Sequence, residues 1–184
     1  MKIILASSSP RRREILREFG LEFSVKKSEY EENEEESSPE LTVLKFAKNK
    51  ALDVYNGLTD KEKTEYLVIG ADTVVYYNGH ILGKPVDKYD AKSTLRELSG
   101  KTHKVYTGYA VINGKKRVFG VDVSEVLFND LSSSLIDEYV ASGKPLDKAG
   151  SYGVQDGFDI VKSVQGSRYN VIGLPIEKLI PILR

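Results

Sequence analysis

The chain is predicted to be an α/β protein built on a mixed sheet with flanking helices. Two observations lead there. Short β-rich runs alternate with stretches of helical spacing along almost the whole chain. Two Asn-Gly pairs, Asn78-Gly79 and Asn113-Gly114, lie between β-rich runs and mark hairpins, so the sheet is not purely parallel. No internal repeat or linker divides the 184 residues, which suits one domain over 1–184.

Lys2 to Ala6 reads as a buried first strand. Ser7, Ser8, Ser9 and Pro10 follow, and serine before proline starts a helix, with Ser9 placed to cap and Pro10 at the first helical position. That helix runs to Phe19 and ends at Gly20, and Leu21 to Lys26 reads as a second strand. Glu29 to Glu36 is an acidic stretch expected to be mostly solvated loop. Pro39 opens a second helix with Leu41, Leu44, Ala47, Ala51 and Val54 at helical spacing. Tyr66 to Tyr77 is a long strand, turned at Asn78-Gly79. A helix over 89–98, strands over 104–112 and 117–128, and a helix over 132–141 come next. Residues 142–155 read as a glycine-rich loop, 158–164 as a strand, and Pro175 opens a last helix.

Composition narrows the chemistry. Lysine plus arginine and aspartate plus glutamate each number 27, so formal charge cancels. That balance argues against binding nucleic acid by bulk charge but permits a compact basic pocket for a small anion. With no cysteine, disulfides, thiolate zinc sites and cysteine nucleophiles are excluded. The first apolar run is too short for a signal peptide or membrane span, so a soluble cytoplasmic protein without membrane partners is expected.

Three places could carry chemistry. Ser7-Ser8-Ser9-Pro10-Arg11-Arg12-Arg13 lies between a strand and a helix, where free amides, hydroxyls and guanidinium groups could cradle phosphate. An ordinary cap followed by surface arginines would read the same. Asp72 sits inside an apolar strand, where an ionised carboxylate needs a partner. A metal, a lysine, a water to be activated, or backbone amides at a strand end would each account for it. Lys84, between Gly83 and Pro85, and Lys148, in Asp147-Lys148-Ala149-Gly150, are lysines on turns. Lys50 lies on the second helix, where a solvated face is the plain alternative. Ser99-Gly100-Lys101-Thr102 resembles the end of a P-loop, but Leu95 stands where its first glycine belongs. The only histidines are His80 and His103, and neither has the context of a catalytic triad.

Together the pieces resemble the Maf family of nucleotide pyrophosphatases. The resemblance rests on 5–12, 28–32, Gly70-Ala71-Asp72-Thr73-Val74-Val75, Gly83-Lys84-Pro85, 98–103, 145–155 and Val171-Ile172-Gly173-Leu174-Pro175, in the family's order. It implies a twisted mixed sheet of the Maf and inosine-triphosphate-pyrophosphatase type, in two lobes around a central cleft. It also implies cleavage of nucleoside triphosphates between the α- and β-phosphates with Mg²⁺ or Mn²⁺. The family's general base maps onto Asp72, its phosphate and metal residues onto Ser7, Arg11, Glu31, Lys50 and Lys84, and its base-selecting positions onto Arg12, Thr73 and Gln155. These last three, with the Ser99-Gly100-Lys101-Thr102-His103 stretch, look like the branch acting on dTTP and UTP, and the family suggests a homodimer. A regulator of cell division that senses a triphosphate without turning it over is the alternative. Arg13 and the Glu34 to Ser38 extension have no assigned role.

Overall fold

The computed structural model describes residues 1–183 except Glu34. In chain order the elements are β1 (Lys2–Leu5), α1 (Pro10–Glu18), β2 (Phe23–Val25), α2 (Pro39–Asn56), α3 (Asp60–Glu65), β3 (Tyr66–Tyr77), β4 (His80–Leu82) and α4 (Lys88–Leu98). They continue with β5 (Thr102–Ile112), β6 (Arg117–Phe128), α5 (Ser133–Ala141), β7 (Val161–Gln165), α6 (Arg168–Ile172) and α7 (Ile176–Leu183), and two 3₁₀ turns follow α5. The strands form one mixed α/β sheet in the order β2-β1-β3-β5-β6-β7, with β4 paired to β3. β1 runs parallel to both β2 and β3, whereas the β3–β4 and β6–β7 pairs are antiparallel.

The hairpin signals hold. Asn78 and Gly79 adopt φ of 48° and 88°, the two positive values that a tight two-residue turn requires, and Tyr77 pairs with His80 across them. Several details differ from the sequence expectation. Ser9 occupies the cap position of α1, yet its hydroxyl caps nothing; Ser7 Oγ instead accepts the Ser9 amide at 3.2 Å. On α2 the buried positions include Val43, Phe46, Ala47, Ala51 and Val54, while Leu41 is exposed. Ser38, not a residue within the helix, caps it by accepting the Leu41 amide. α3 was not expected; its Thr59–Glu62 capping box was readable. β7 starts at Val161, because 156–160 is spent in turns. Glu35 and Glu36 are exposed, as a solvated acidic loop should be; Glu34 lies outside the described residues.

The chain forms two compact units. The first comprises Met1–Thr73, Thr107–Asp122 and the C-terminal residues from Gly173; the second comprises Val74–Tyr106 and Val123–Ile172. In the first, Ile4, Ala47, Ala51, Val54, Val68 and Ile112 belong to one buried cluster that joins α2 to the sheet. Two glycines let that helix lie close. A Cβ at Gly70 would stand 2.3 Å from the Ala47 carbonyl, and one at Gly108 would stand 2.2 Å from the Val43 carbonyl. Both distances are sub-contact, so α2 can sit at this depth on β3 and β5 only where no side chain intervenes. The second unit packs Leu95, Leu98, Phe128, Ile136, Tyr139 and Ile160 into its own core.

Candidate active site

The depth of α2 decides what happens to Asp72. Side chains alternate along a strand, so Asp72 leaves β3 on the same face as Gly70, the face that α2 covers. There Lys50 Nζ donates to Asp72 Oδ1 at 2.7 Å. The same ammonium reaches Glu32 Oε1 at 2.5 Å. Asp72 is buried, and burial raises its pKa above the usual carboxylate value. Lys50 and Arg12 oppose that rise, while Glu32 adds to it. The result is a carboxylate more basic than an exposed one, held in place by an ion pair.

Thr73 leaves β3 on the opposite face and meets the turn after β1. Ser7 is buried there, and its hydroxyl accepts both the Ser9 amide and Arg12 Nη1, the latter at 3.0 Å. Arg12 Nε donates to the Gly173 carbonyl at 2.8 Å, and Nη2 donates to Thr73 Oγ1 at 3.3 Å. Thr73 Oγ1 in turn lies 2.9 Å from the hydroxyl of buried Thr107. Arg12 is thus fixed by acceptors on three separate stretches of chain, a rigid planar fork and not a free surface cation. Its pKa is lowered, chiefly by burial, with Asp72 the leading opposing influence. Arg11, next to it, is half-buried.

The first unit therefore holds two clusters, Ser7 with Arg12 and Thr73, and Lys50 with Asp72, and the charges of Arg12 and Asp72 act on each other. Among the sequence candidates there, Glu31 is exposed, and the carboxylate that reaches Lys50 is its neighbour Glu32. Glu32, itself exposed, was missed because nothing in a run of glutamates tells which one reaches a lysine on a distant helix. Thr107 was missed because it sits unmarked in an apolar strand; only its partner across the sheet reveals it. Lys84 and Gln155 belong to the second unit and are exposed there.

Other candidates receive ordinary explanations. Lys148 is buried, and its ammonium faces the Lys144 carbonyl, Asp147 Oδ1 at 2.9 Å and Asp156 Oδ2 at 3.5 Å. Two hydrogen-bond acceptors and one further carboxylate engage its ammonium, which gives it a structural role in this loop. Ser99-Gly100-Lys101-Thr102 follows helix α4 and enters strand β5, the reverse of a P-loop's order. His103 is buried against Phe128 and Tyr152, and burial lowers its pKa to about 4.

Whether a divalent cation suits this site can be judged from the donors. Among the described residues, no group of three or more His, Cys, Asp or Glu side chains could hold a metal by itself. Asp72 and Glu32 nevertheless bracket a single cationic group, the Lys50 ammonium. Two carboxylates completed by substrate phosphates and water are the usual way in which Mg²⁺ is held, so the donor set fits.

The chain is 46% identical over 185 residues to a protein of Aquifex aeolicus named dTTP/UTP pyrophosphatase, covering 100% of this chain and 95% of the relative. A protein of the same name from Bacillus thuringiensis subsp. konkukian is 48% identical, with 100% and 94% covered. One from Pyrococcus furiosus is 46% identical, with 99% and 94% covered. A family model described as Maf-like protein matches residues 2–184, and the chain belongs to the Maf family.

Proposed function

We propose that this protein is a nucleoside triphosphate pyrophosphatase that cleaves dTTP and UTP to the monophosphate and pyrophosphate. The observation that carries the reading is a buried, basic Asp72 paired with Lys50 and Glu32, in a chain that matches enzymes of that name over its full length.

A triphosphate carries about four negative charges near neutral pH, so its cleavage depends on positioning and charge stabilisation. The turn after β1 provides the cradle: Ser7, the amides at the start of α1, and Arg11. Asp72 orients the attacking water and takes its proton as oxygen bonds to the α-phosphorus. The bond from that phosphorus to the bridging oxygen breaks, and pyrophosphate leaves with the bonding electrons. Asp72 and Glu32, with Glu31 as the resemblance's assignment, would hold a Mg²⁺ or Mn²⁺ ion, which would supply positive charge to the phosphate oxygens. Lys50 keeps Asp72 in register and can turn to phosphate. Arg12 and Thr73 form one rigid polar edge suited to reading a base or ribose. Lys84 and Gln155 keep the roles that the resemblance gives them, a phosphate contact and a reader of the pyrimidine edge. Among the described residues no helix is long and apolar enough to cross a membrane. A single domain, a cytoplasmic location and a homodimer complete the reading.

The test is pyrophosphate release from a panel of triphosphates, with and without Mg²⁺. Wild-type protein at catalytic levels should turn over dTTP and UTP, and Asp72→Asn should lose at least ~10²-fold while staying folded. Stoichiometric binding without release would instead support a triphosphate sensor. Near-normal turnover by Asp72→Asn would remove Asp72 from the role of base.

A further inference from the structure

We infer that Tyr139, Asp156 and Lys148 form a clamp that positions Gln155, and so help to set nucleobase selectivity without touching substrate. The inference rests on the base-reading role proposed above for Gln155.

All of its parts lie in the second unit. The Tyr139 hydroxyl donates to Asp156 Oδ2 at 2.5 Å and accepts the Gly153 amide at 2.8 Å. Lys148 Nζ lies 3.5 Å from the same carboxylate oxygen. The backbone on each side of Gln155 is tied as well. The Asp156 carbonyl accepts Lys144 Nζ at 2.8 Å, the Asp156 amide donates to the Gly153 carbonyl at 3.1 Å, and the Val154 carbonyl accepts Arg168 Nη2 at 3.0 Å. Residues 153, 154 and 156 are thus anchored while the Gln155 side chain between them is exposed. The packing leaves no slack: a Cβ at Gly153 would stand 2.7 Å from both Asp156 Oδ1 and Lys148 Cε.

A glycine-rich loop would by default be mobile, and an amide that must match a base edge tolerates about half an ångström of error. Ordering loop backbone costs conformational entropy, which a preformed clamp spares the binding step. Burial first, and Asp156 next, push the Tyr139 hydroxyl well above its ordinary pKa, so it remains a donor throughout the working range. The Asp156 carboxylate and the Lys148 ammonium have only 9% and 10% of their side-chain surface exposed, and such groups are costly to enclose. Positioning the loop is the role their bonds describe.

The experiment compares kcat/KM for dTTP and for a purine triphosphate in Gln155→Ala, Tyr139→Phe, Asp156→Ala and Asp156→Asn, with a melting curve for each. Tyr139→Phe and Asp156→Ala should lower the dTTP preference at least about fivefold, mainly through KM, with kcat near wild type. Asp156→Asn keeps an acceptor for Tyr139 and should recover most of it. Wild-type selectivity in both Tyr139→Phe and Asp156→Ala, alongside altered selectivity in Gln155→Ala, would overturn the clamp and leave the Gln155 reading intact. Equal losses for every nucleotide, tracking a lower melting temperature, would make the network merely structural and would also overturn the clamp. Unchanged selectivity in Gln155→Ala would overturn the reading itself and the clamp with it.

Discussion

His103 should make the fold sensitive to mild acid, by an amount that its surroundings specify. Its ring packs edge-on against Phe128 and Tyr152, with centroids 4.9 and 5.3 Å away, and Nε2 lies 2.7 Å from the Tyr152 hydroxyl. Nδ1 is buried with no hydrogen-bond partner among the described residues. Charging the ring would therefore strand a cation in an apolar core, and burial depresses its pKa from 6.5 to about 4. An unfolded chain takes up the proton near 6.5, while the folded chain resists until about 4. The stabilisation is thus fully present above 6.5 and is lost as pH falls through that window. At about 1.4 kcal/mol per pH unit, the loss approaches about 3 kcal/mol. The comparison is wild type against His103→Gln, whose amide can still bond the Tyr152 hydroxyl. Urea unfolding at several pH values between 7 and 4 yields two stability curves. The wild-type curve should fall about 3 kcal/mol further than the variant's, whatever their offset at pH 7. Parallel curves would show that His103 is charged in the folded state, or that water reaches it, and would refute the argument.

Four further outcomes follow from the same geometry. Because Asp72 has a raised pKa, its ionised form costs the fold stability at neutral pH, and that cost disappears as pH falls; Asp72→Asn should melt at or above the wild-type temperature at pH 7 while losing at least ~10²-fold in turnover, and a clearly lower melting temperature would contradict this. The acid limb of the kcat/KM profile should lie above the ~3.9 of an ordinary aspartate and should vanish from the residual activity of Asp72→Asn. Gly70→Ala, which drives a methyl into the Ala47 carbonyl, should cost about 1–3 kcal/mol by calorimetry and reduce turnover by displacing Lys50 from Asp72. Glu32→Gln should lower turnover and the response to Mg²⁺ at least about tenfold, more than Glu31→Gln does; the opposite ranking would return the metal role to Glu31.

The longer strands and helices, both hairpins and the turn from β1 into α1 were legible because each rests on local signals: alternation, Asn-Gly pairs and Pro10 at a helix start. The lysine of Lys50 was read from resemblance, since on spacing alone it belonged to a solvated helix face. Lys148 resembled a phosphate lysine in sequence and proved to be a buried anchor. Its acceptors at Asp156 and Lys144 become visible only when the loop closes on itself. α6 was missed because five residues carry too little periodicity to register.

By itself, the sequence determined the mixed α/β class and the absence of thiol chemistry, and it singled out the Ser7–Arg12 turn, Lys50 and Asp72 as candidates. These depend on composition and on neighbours a few residues apart. The tertiary structure alone decided that Glu32 is the carboxylate meeting Lys50, that Thr107 backs Thr73, and that Asp72 is basic. Each of these depends on how far residues distant in the chain are pressed together and how much water is expelled between them. Here that distance is set by two glycines that let one helix settle onto the sheet.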